Sequence, residues 1–270
     1  MRVFITGGGG FIGSQVVKEL KRRNHTVHLL SARLAHVNAI EKELKKFKPD
    51  CVIHLAWEGL PDIRLAMSSK NRTNGIAFFR LIEKFKIPKL IAIGSAWQYE
   101  NTAELKVNGH ASFVAAKKAL QVFGKEVMKK HGGVFIWVIP FFVYGKGKKD
   151  VSLVPSLLRQ ARERKTPTPK NPDAWHDFVY VDDVARAIAL LATKKVSTGS
   201  YDMGSGSLTR TGDIALRVAR AYNLPRLKLG PVAKKGLRAN IRRLKKATGW
   251  APRVPISKGI AAMIKSVNGK

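Results

Sequence analysis

The chain predicts an α/β fold built on a doubly wound parallel sheet, with a smaller C-terminal lobe. Two observations carry that expectation. Over the first 140 residues, short apolar runs alternate with longer amphipathic stretches, and the first run leads straight into Gly7-Gly8-Gly9-Gly10-Phe11-Ile12-Gly13. Strands that are apolar throughout and separated by helical patterns imply a parallel sheet covered on both faces and wound in the right-handed sense.

The elements follow in order. Val3-Phe4-Ile5 is a β-rich run, and Val16, Val17 and Leu20 then fall on one helical face before the polar stretch Lys21-Arg22-Arg23-Asn24. Between them, Gly7 allows a tight turn off the strand, Gly10 lets backbone N–H groups approach a pyrophosphate, and Gly13 lets the helix pack on the sheet. The helix N-terminus then faces the phosphates of a dinucleotide. Thr26-Val27-His28-Leu29-Leu30 reads as the second strand, followed by a stretch in which Val37, Ile40, Leu44 and Phe47 share a face. Cys51 to Ala56 is an apolar strand, Ile76 to Phe85 a helix, Leu90 to Ile93 a strand, Val114 to Met128 a helix and Val134 to Ile139 a strand. Only about 20 residues separate Leu30 from Cys51, so the half-unit there is trimmed, with a short or absent strand.

Beyond Pro140 the regularity loosens. Gly145-Lys146-Gly147-Lys148-Lys149 reads as a loop and residues 166–172 as a proline-rich connector. Phe178-Val179-Tyr180-Val181 is a short strand, with Asp182 placed to cap a helix through Leu191. Ile214 to Tyr222 and Ile256 to Val267 are further helical patterns. The expected organisation is a dinucleotide-binding domain over 1–150, to which 174–203 returns, and a smaller lobe made of 151–173 and 204–270.

Composition narrows the class. At 270 residues and 45% hydrophobic the chain can bury a sizeable core, and no apolar run reaches the roughly 20 residues that span a bilayer. The first strand starts at the extreme N-terminus, which leaves no room for a targeting segment and makes the cytoplasm the expected compartment. A single cysteine, Cys51, excludes disulfides within the chain and cysteine-based metal sites. The formal net charge is +32, and residues 214–270 hold fifteen Lys and Arg with no acid. Such a field attracts polyanions without identifying one, and it reads equally as a basic surface on an ordinary enzyme.

Several ordered motifs together resemble the extended short-chain dehydrogenase/reductase family, in particular its nucleotide-sugar epimerases, dehydratases and 4-ketoreductases, which share a Rossmann-like sheet. They are Thr6-Gly7-x-x-Gly10-x-x-Gly13; Pro49-Asp50-Cys51-Val52-Ile53-His54-Leu55-Ala56; Asn71 with Gly75; Gly94-Ser95-Ala96; Pro140-Phe141-Phe142-Val143-Tyr144-Gly145; His176-Asp177-Phe178 through Ala185; Tyr201 to Gly206; and Gly249-Trp250-Ala251-Pro252. The resemblance covers nearly the whole length. It implies that Thr6, Gly7, Gly10, Phe11, Ile12 and Gly13 cradle the cofactor, that Leu55, Ala56, Lys117 and Pro140 pass close to it, and that His54 is a packing residue.

In that family a Ser or Thr polarises a sugar carbonyl or hydroxyl, while a Tyr-x-x-x-Lys pair on the next helix moves the proton. The lysine lowers the phenol pKa and holds the nicotinamide ribose, and the i, i+4 spacing puts both on one helix face. Ser95 matches the serine and Lys117 the lysine, but Phe113 stands at the tyrosine position. Three readings compete: an engineered change that traps a complex, a natural non-catalytic relative, or transfer of the role to His110 or Tyr99. The choice of dinucleotide is read at the end of the second strand, where NAD-preferring folds place an acid against the ribose 2′-hydroxyl. Here Ser31-Ala32-Arg33 has no acid to repel a 2′-phosphate and an arginine able to clamp it, which favours NADP over NAD unless Arg33 is one more surface cation.

For the substrate, the resemblance places Lys234, Lys235 and Arg238 against a nucleotide diphosphate and Val154 in the segment lining the cleft. That segment, Leu153 to Leu158, reads equally as a core helix with proline in its first turn. His176 occupies a position often held by arginine. No metal site is expected. The candidate functions are an NADP-dependent enzyme acting on a nucleotide-activated sugar, a non-catalytic NADP-binding protein, and a polyanion or RNA-binding module on the same scaffold. The family also implies a homodimer, through a bundle containing the 113–128 helix.

Overall fold

Parallel pairing organises the apolar runs. In the computed structural model, which describes residues 1–100, 109–147 and 152–268, β1 (Arg2–Thr6), β2 (Thr26–Leu29), β3 (Cys51–His54), β4 (Lys89–Ile93) and β5 (Val134–Pro140) lie in the order β2-β1-β3-β4-β5 and pair in parallel. A sixth strand, β9 (Gly199–Met203), lies beyond β5. Every residue of β3 is buried, as are Val3 to Thr6 of β1, because helices cover both faces of a sheet wound this way. The only element between Leu29 and Cys51 is α2 (Val37–Phe47), so β2 is the sheet edge.

Helices α1 (Phe11–Arg22), α3 (Leu65–Lys84) and α4 (His110–Lys130) complete the first half of the chain. The sequence placed the third helix at Ile76; it begins eleven residues earlier. Its opening turns are polar, and they are held by specific bonds rather than by an apolar stripe. Buried Asn71 accepts from Glu58 N at 2.7 Å and donates to Glu58 O and Met67 O at 3.0 and 2.9 Å. Gly75 packs against Leu120 of α4, which lets the two helices approach closely.

The chain forms two compact units: residues 1–140, 185–202 and 243–250, and residues 141–184, 203–242 and 251–270. In the second, β6 (Phe142–Tyr144) pairs in parallel with β8 (Phe178–Tyr180), and β7 (Trp175–His176) pairs antiparallel with β10 (Thr209–Arg210). Helix α5 (Leu153–Arg162) packs against α7 (Thr211–Ala221), and α7 against α9 (Ile256–Asn268). These two- and three-residue strands are too short to give a period-2 signal. Two further helices, α6 (Val181–Thr193) and α8 (Arg242–Thr248), and a short 3-10 turn (Ala96–Tyr99) complete the elements among the described residues. Asp182 is not an N-cap: α6 starts at Val181, leaving Asp182 and Asp183 inside its first turn, where a carboxylate favours the helix dipole. Lys148 and Lys149 of the expected loop, the boundary at 150–151, and Lys270 fall outside the described residues.

Among the described residues no helix is long and apolar enough to cross a membrane, and no cluster of three metal-ligating side chains occurs. Cys51 is fully buried, and burial pushes its thiol up to about 12, which leaves it inert.

Candidate active site

At the C-terminal end of β1 the backbone turns with Gly7 at φ +72°, and a Cβ there would lie 2.6 Å from Ala56 N. A Cβ on Gly13 would collide with the Gly7 carbonyl, so the start of α1 sits directly on the turn. No side chain caps α1 among the described residues and its first turn has no acid, which leaves an electropositive helix end at the glycine turn. Thr6, fully buried, has its hydroxyl 2.8 Å from His54 Nδ1 and accepts from Ala56 N at 3.4 Å, locking the ends of β1 and β3 together. Burial, reinforced by the Lys117 charge, pushes His54 down to about 3, and its ring packs on Phe78 and Phe79. It is therefore a neutral strand-end residue. The same strand ends carry Leu55 and Ala56, both half-buried, and the buried Pro140 closes β5. A pyrophosphate fits this glycine turn because backbone crowds Gly7 and Gly13 while the space beside Gly9 is open.

Ser31 and Arg33 follow β2 and are both exposed. The fold brings a third group there that the sequence did not indicate. Glu43 of α2 accepts from the Ser31 hydroxyl at 2.7 Å through one oxygen, while its other oxygen lies 2.7 Å from His28 Nε2. Burial opposes the Glu43 charge, but the bonds from His28 and Ser31 hold its carboxyl below the usual value. The absence of an acid near the strand end, from which NADP was expected, holds for residues 30–35 and not for the folded chain.

Beyond β4, Ser95 caps the short 3-10 turn Ala96–Tyr99. Its hydroxyl accepts from Trp97 N at 3.3 Å, and its own N–H donates to the Gln98 side chain at 3.1 Å. On α4, Phe113 is 6% exposed, with its ring edge-on to Trp57 and Trp97 at 5.0 and 5.7 Å. One turn on, Lys117 is 4% exposed, donates to Ile93 O at 2.8 Å and lies 4.0 Å from the centre of the Trp57 ring. Burial pulls its ammonium down to about 7. Trp57 was missed in the sequence, where it follows Leu55-Ala56 in a stretch with no periodicity. His110 packs against Trp97 with the rings tilted by 45° and their centres 4.0 Å apart, and burial lowers its pKa. Tyr99 donates to Asp202 at 2.6 Å, and burial together with that carboxylate raises its phenol well above neutral pH.

In the second unit a cavity of about 450 Å³ is lined by Phe142, Leu153, Ser156, Leu157, Lys170 and His176 among others. Val154 points instead into the buried face of α5. His176 stacks on Phe142 at 3.8 Å, and burial lowers its pKa, so this wall is neutral and aromatic near pH 7. Lys234, Lys235 and Arg238 lie on an exposed irregular segment and do not line the cavity, and Lys234 sits 5.5 Å from the Trp175 ring. That segment is anchored by Asp177. Its buried carboxylate accepts from Ser205 N and Oγ at 2.6 and 2.7 Å and from Gly206 N and Ala239 N at 3.0 Å.

A glycine turn at the end of β1, with Ser95 and Lys117 in the same unit, belongs to a known sequence pattern: that of the NAD dependent epimerase/dehydratase family matches residues 3–204. The chain belongs to the NAD-dependent epimerase/dehydratase family. It is 23% identical to a UDP-glucose 4-epimerase of Mycolicibacterium smegmatis, over 100% of this chain and 99% of that one. Its fold is similar to that of a Thermus thermophilus UDP-glucose 4-epimerase solved with NAD (TM-score 0.82, 21% identity, 100% and 99% of the two chains). It is also similar to RMD of Pseudomonas aeruginosa solved with NADPH (TM-score 0.81, 21% identity, 99% of each). The family is one of nicotinamide-dependent enzymes on nucleotide sugars, consistent with the extended short-chain dehydrogenase/reductase resemblance.

Proposed function

We propose that this chain binds a nicotinamide dinucleotide at the Gly7–Gly13 turn and acts on a nucleotide-activated sugar, by 4-keto reduction or by epimerisation through a transient ketone. The observation that carries this reading is the glycine turn itself, where a Cβ at Gly7 or Gly13 would strike main-chain atoms and a helix end is left without a side-chain cap. The nicotinamide, when bound, supplies or accepts the hydride. Among the chain's own groups, Lys117, protonated below about pH 7, has an ammonium that can hold a ribose, and Ser95 offers a hydroxyl to a sugar oxygen. Phe113 stands for the family's tyrosine and has no proton to give, so turnover is impaired.

A non-catalytic NADP-binding protein is the second reading. It is supported by the packing of Phe113 between two tryptophans and by the bond of Lys117 to Ile93 O. Tyr99, tied to Asp202, does not replace the tyrosine at neutral pH. Arg33 alone supports NADP over NAD, and Glu43 opposes it. For the substrate we assign the base to the cavity at Leu153, Ser156 and His176, and the diphosphate to Lys234, Lys235 and Arg238. The reading includes a cytoplasmic homodimer formed through α4, where Val122 is 65% exposed.

The test is a fluorescence titration with NADH and NADPH followed by turnover of Phe113→Tyr across a panel of sugar nucleotides. Binding of either dinucleotide with gain of turnover in Phe113→Tyr supports the enzyme. Binding with no gain on any substrate supports the non-catalytic reading, and failure to bind either removes both.

A further inference from the structure

In an α/β dinucleotide fold, the group beside the end of the second strand meets the adenosine ribose, and its charge separates a 2′-hydroxyl from a 2′-phosphate. The residues after β2 supply no acid, yet Glu43 reaches that point from the second turn of α2. Its side chain is 18% exposed. One carboxylate oxygen accepts from Ser31 Oγ at 2.7 Å; the other lies 2.7 Å from His28 Nε2 and 3.5 Å from Ser31 N. His28 is itself held between the rings of Phe4 and Phe47, at 5.1 and 5.0 Å, so the carboxylate is anchored to the sheet on one side and to the strand end on the other.

Resting on the dinucleotide reading above, we propose that Glu43 is the specificity-determining residue for the cofactor, directing this chain to NAD(H) rather than NADP(H). Two physical effects act in the same direction. A fixed carboxylate repels the dianionic 2′-phosphate, and its low exposure limits screening by water and salt. The Ser31 hydroxyl has one proton, and it is already donated to Glu43. Toward a ligand, Ser31 therefore presents only lone pairs, which accept from a ribose hydroxyl and cannot donate to a phosphate oxygen. Arg33 pulls the other way, but it is exposed, its guanidinium has no hydrogen-bond or ion-pair partner among the described residues to fix it, and it is screened within a Debye length of about 8 Å at physiological salt.

The test is equilibrium titration of the full chain with NADH and NADPH at moderate salt, followed by energy transfer from tryptophan to the reduced nicotinamide, with melting curves to confirm folding. The wild-type protein is expected to bind NADH at least tenfold more tightly than NADPH, a comparison that needs no variant. Glu43→Gln keeps the shape and an acceptor for Ser31, and is expected to move the ratio at least tenfold toward NADPH. A wild-type preference for NADPH, or an unchanged ratio in a folded Glu43→Gln protein, overturns the assignment while leaving the dinucleotide site in place. Binding of neither dinucleotide overturns that site and this inference together.

Discussion

The glycine turn and the start of α4 belong to the same unit and make different demands on the chain. The turn works through backbone: Gly7 and Gly13 are needed because a Cβ would strike main-chain atoms, and the N–H groups at the start of α1 belong to any sequence that folds this way. The α4 region works through single atoms. Lys117 is in place on the correct helix face, but its neighbour one turn back is a phenyl ring, and the ammonium is turned toward Ile93 O and Trp57. A turn built of backbone tolerates drift in side chains; proton transfer of the kind proposed above depends on one oxygen.

The sharpest way to break this comparison is Phe113→Tyr. If the α4 region lacks only the phenol, the variant gains about 10²–10⁴-fold in turnover with a sugar nucleotide and reduced dinucleotide while binding is unchanged. Equal turnover in both proteins would show that more than one atom is missing. At the turn, Gly13→Ala forces a Cβ onto the Gly7 carbonyl and is expected to cost about 1–3 kcal/mol in a urea titration and to abolish dinucleotide binding.

Lys117 allows a test through pH. Its folded pKa of about 7 lies below the usual lysine value, so between about pH 7 and the unfolded pKa the unfolded chain binds the extra proton. Stability therefore rises with pH across that window, by at most about 1.4 kcal/mol per unit. Lys117→Met is expected to remove that slope, read as the difference between wild-type and variant urea midpoints at pH 7 and pH 9; parallel slopes would place the lysine charge in water. The smallest effect is Ser95→Ala. Loss of the cap on the Ala96–Tyr99 turn is expected to lower stability by about 1 kcal/mol, and turnover falls further only in the Phe113→Tyr background if the hydroxyl also touches substrate.

Legibility followed the range of the interaction. The buried strands and the apolar faces of α1 and α2 were read correctly because period and hydrophobicity are local properties. The opening turns of α3 were not, because Ser68, Asn71 and Gly75 are buried by bonds and by a neighbouring helix rather than by an apolar stripe. Asp177 was read as part of a motif; its role as the anchor of residues 205, 206 and 239 depends on residues up to 62 positions away. In the second unit, Val154 was singled out, but the residues that face the cavity are its neighbours Leu153, Ser156 and Leu157, since one helical step of 100° turns a side chain from one surface to another.

By itself, then, the sequence determined the parallel sheet, the glycine turn, the family and the absence of a tyrosine at position 113, all of them carried by residue types at fixed spacing. The tertiary structure decided that an acid stands beside Ser31 after all, that Trp57 lies over Lys117, and that Tyr99 is tied to Asp202. Each of those joins residues 12 to 103 positions apart. The charge and proton affinity of a group depend on what surrounds it in space, and only the packed chain supplies those surroundings.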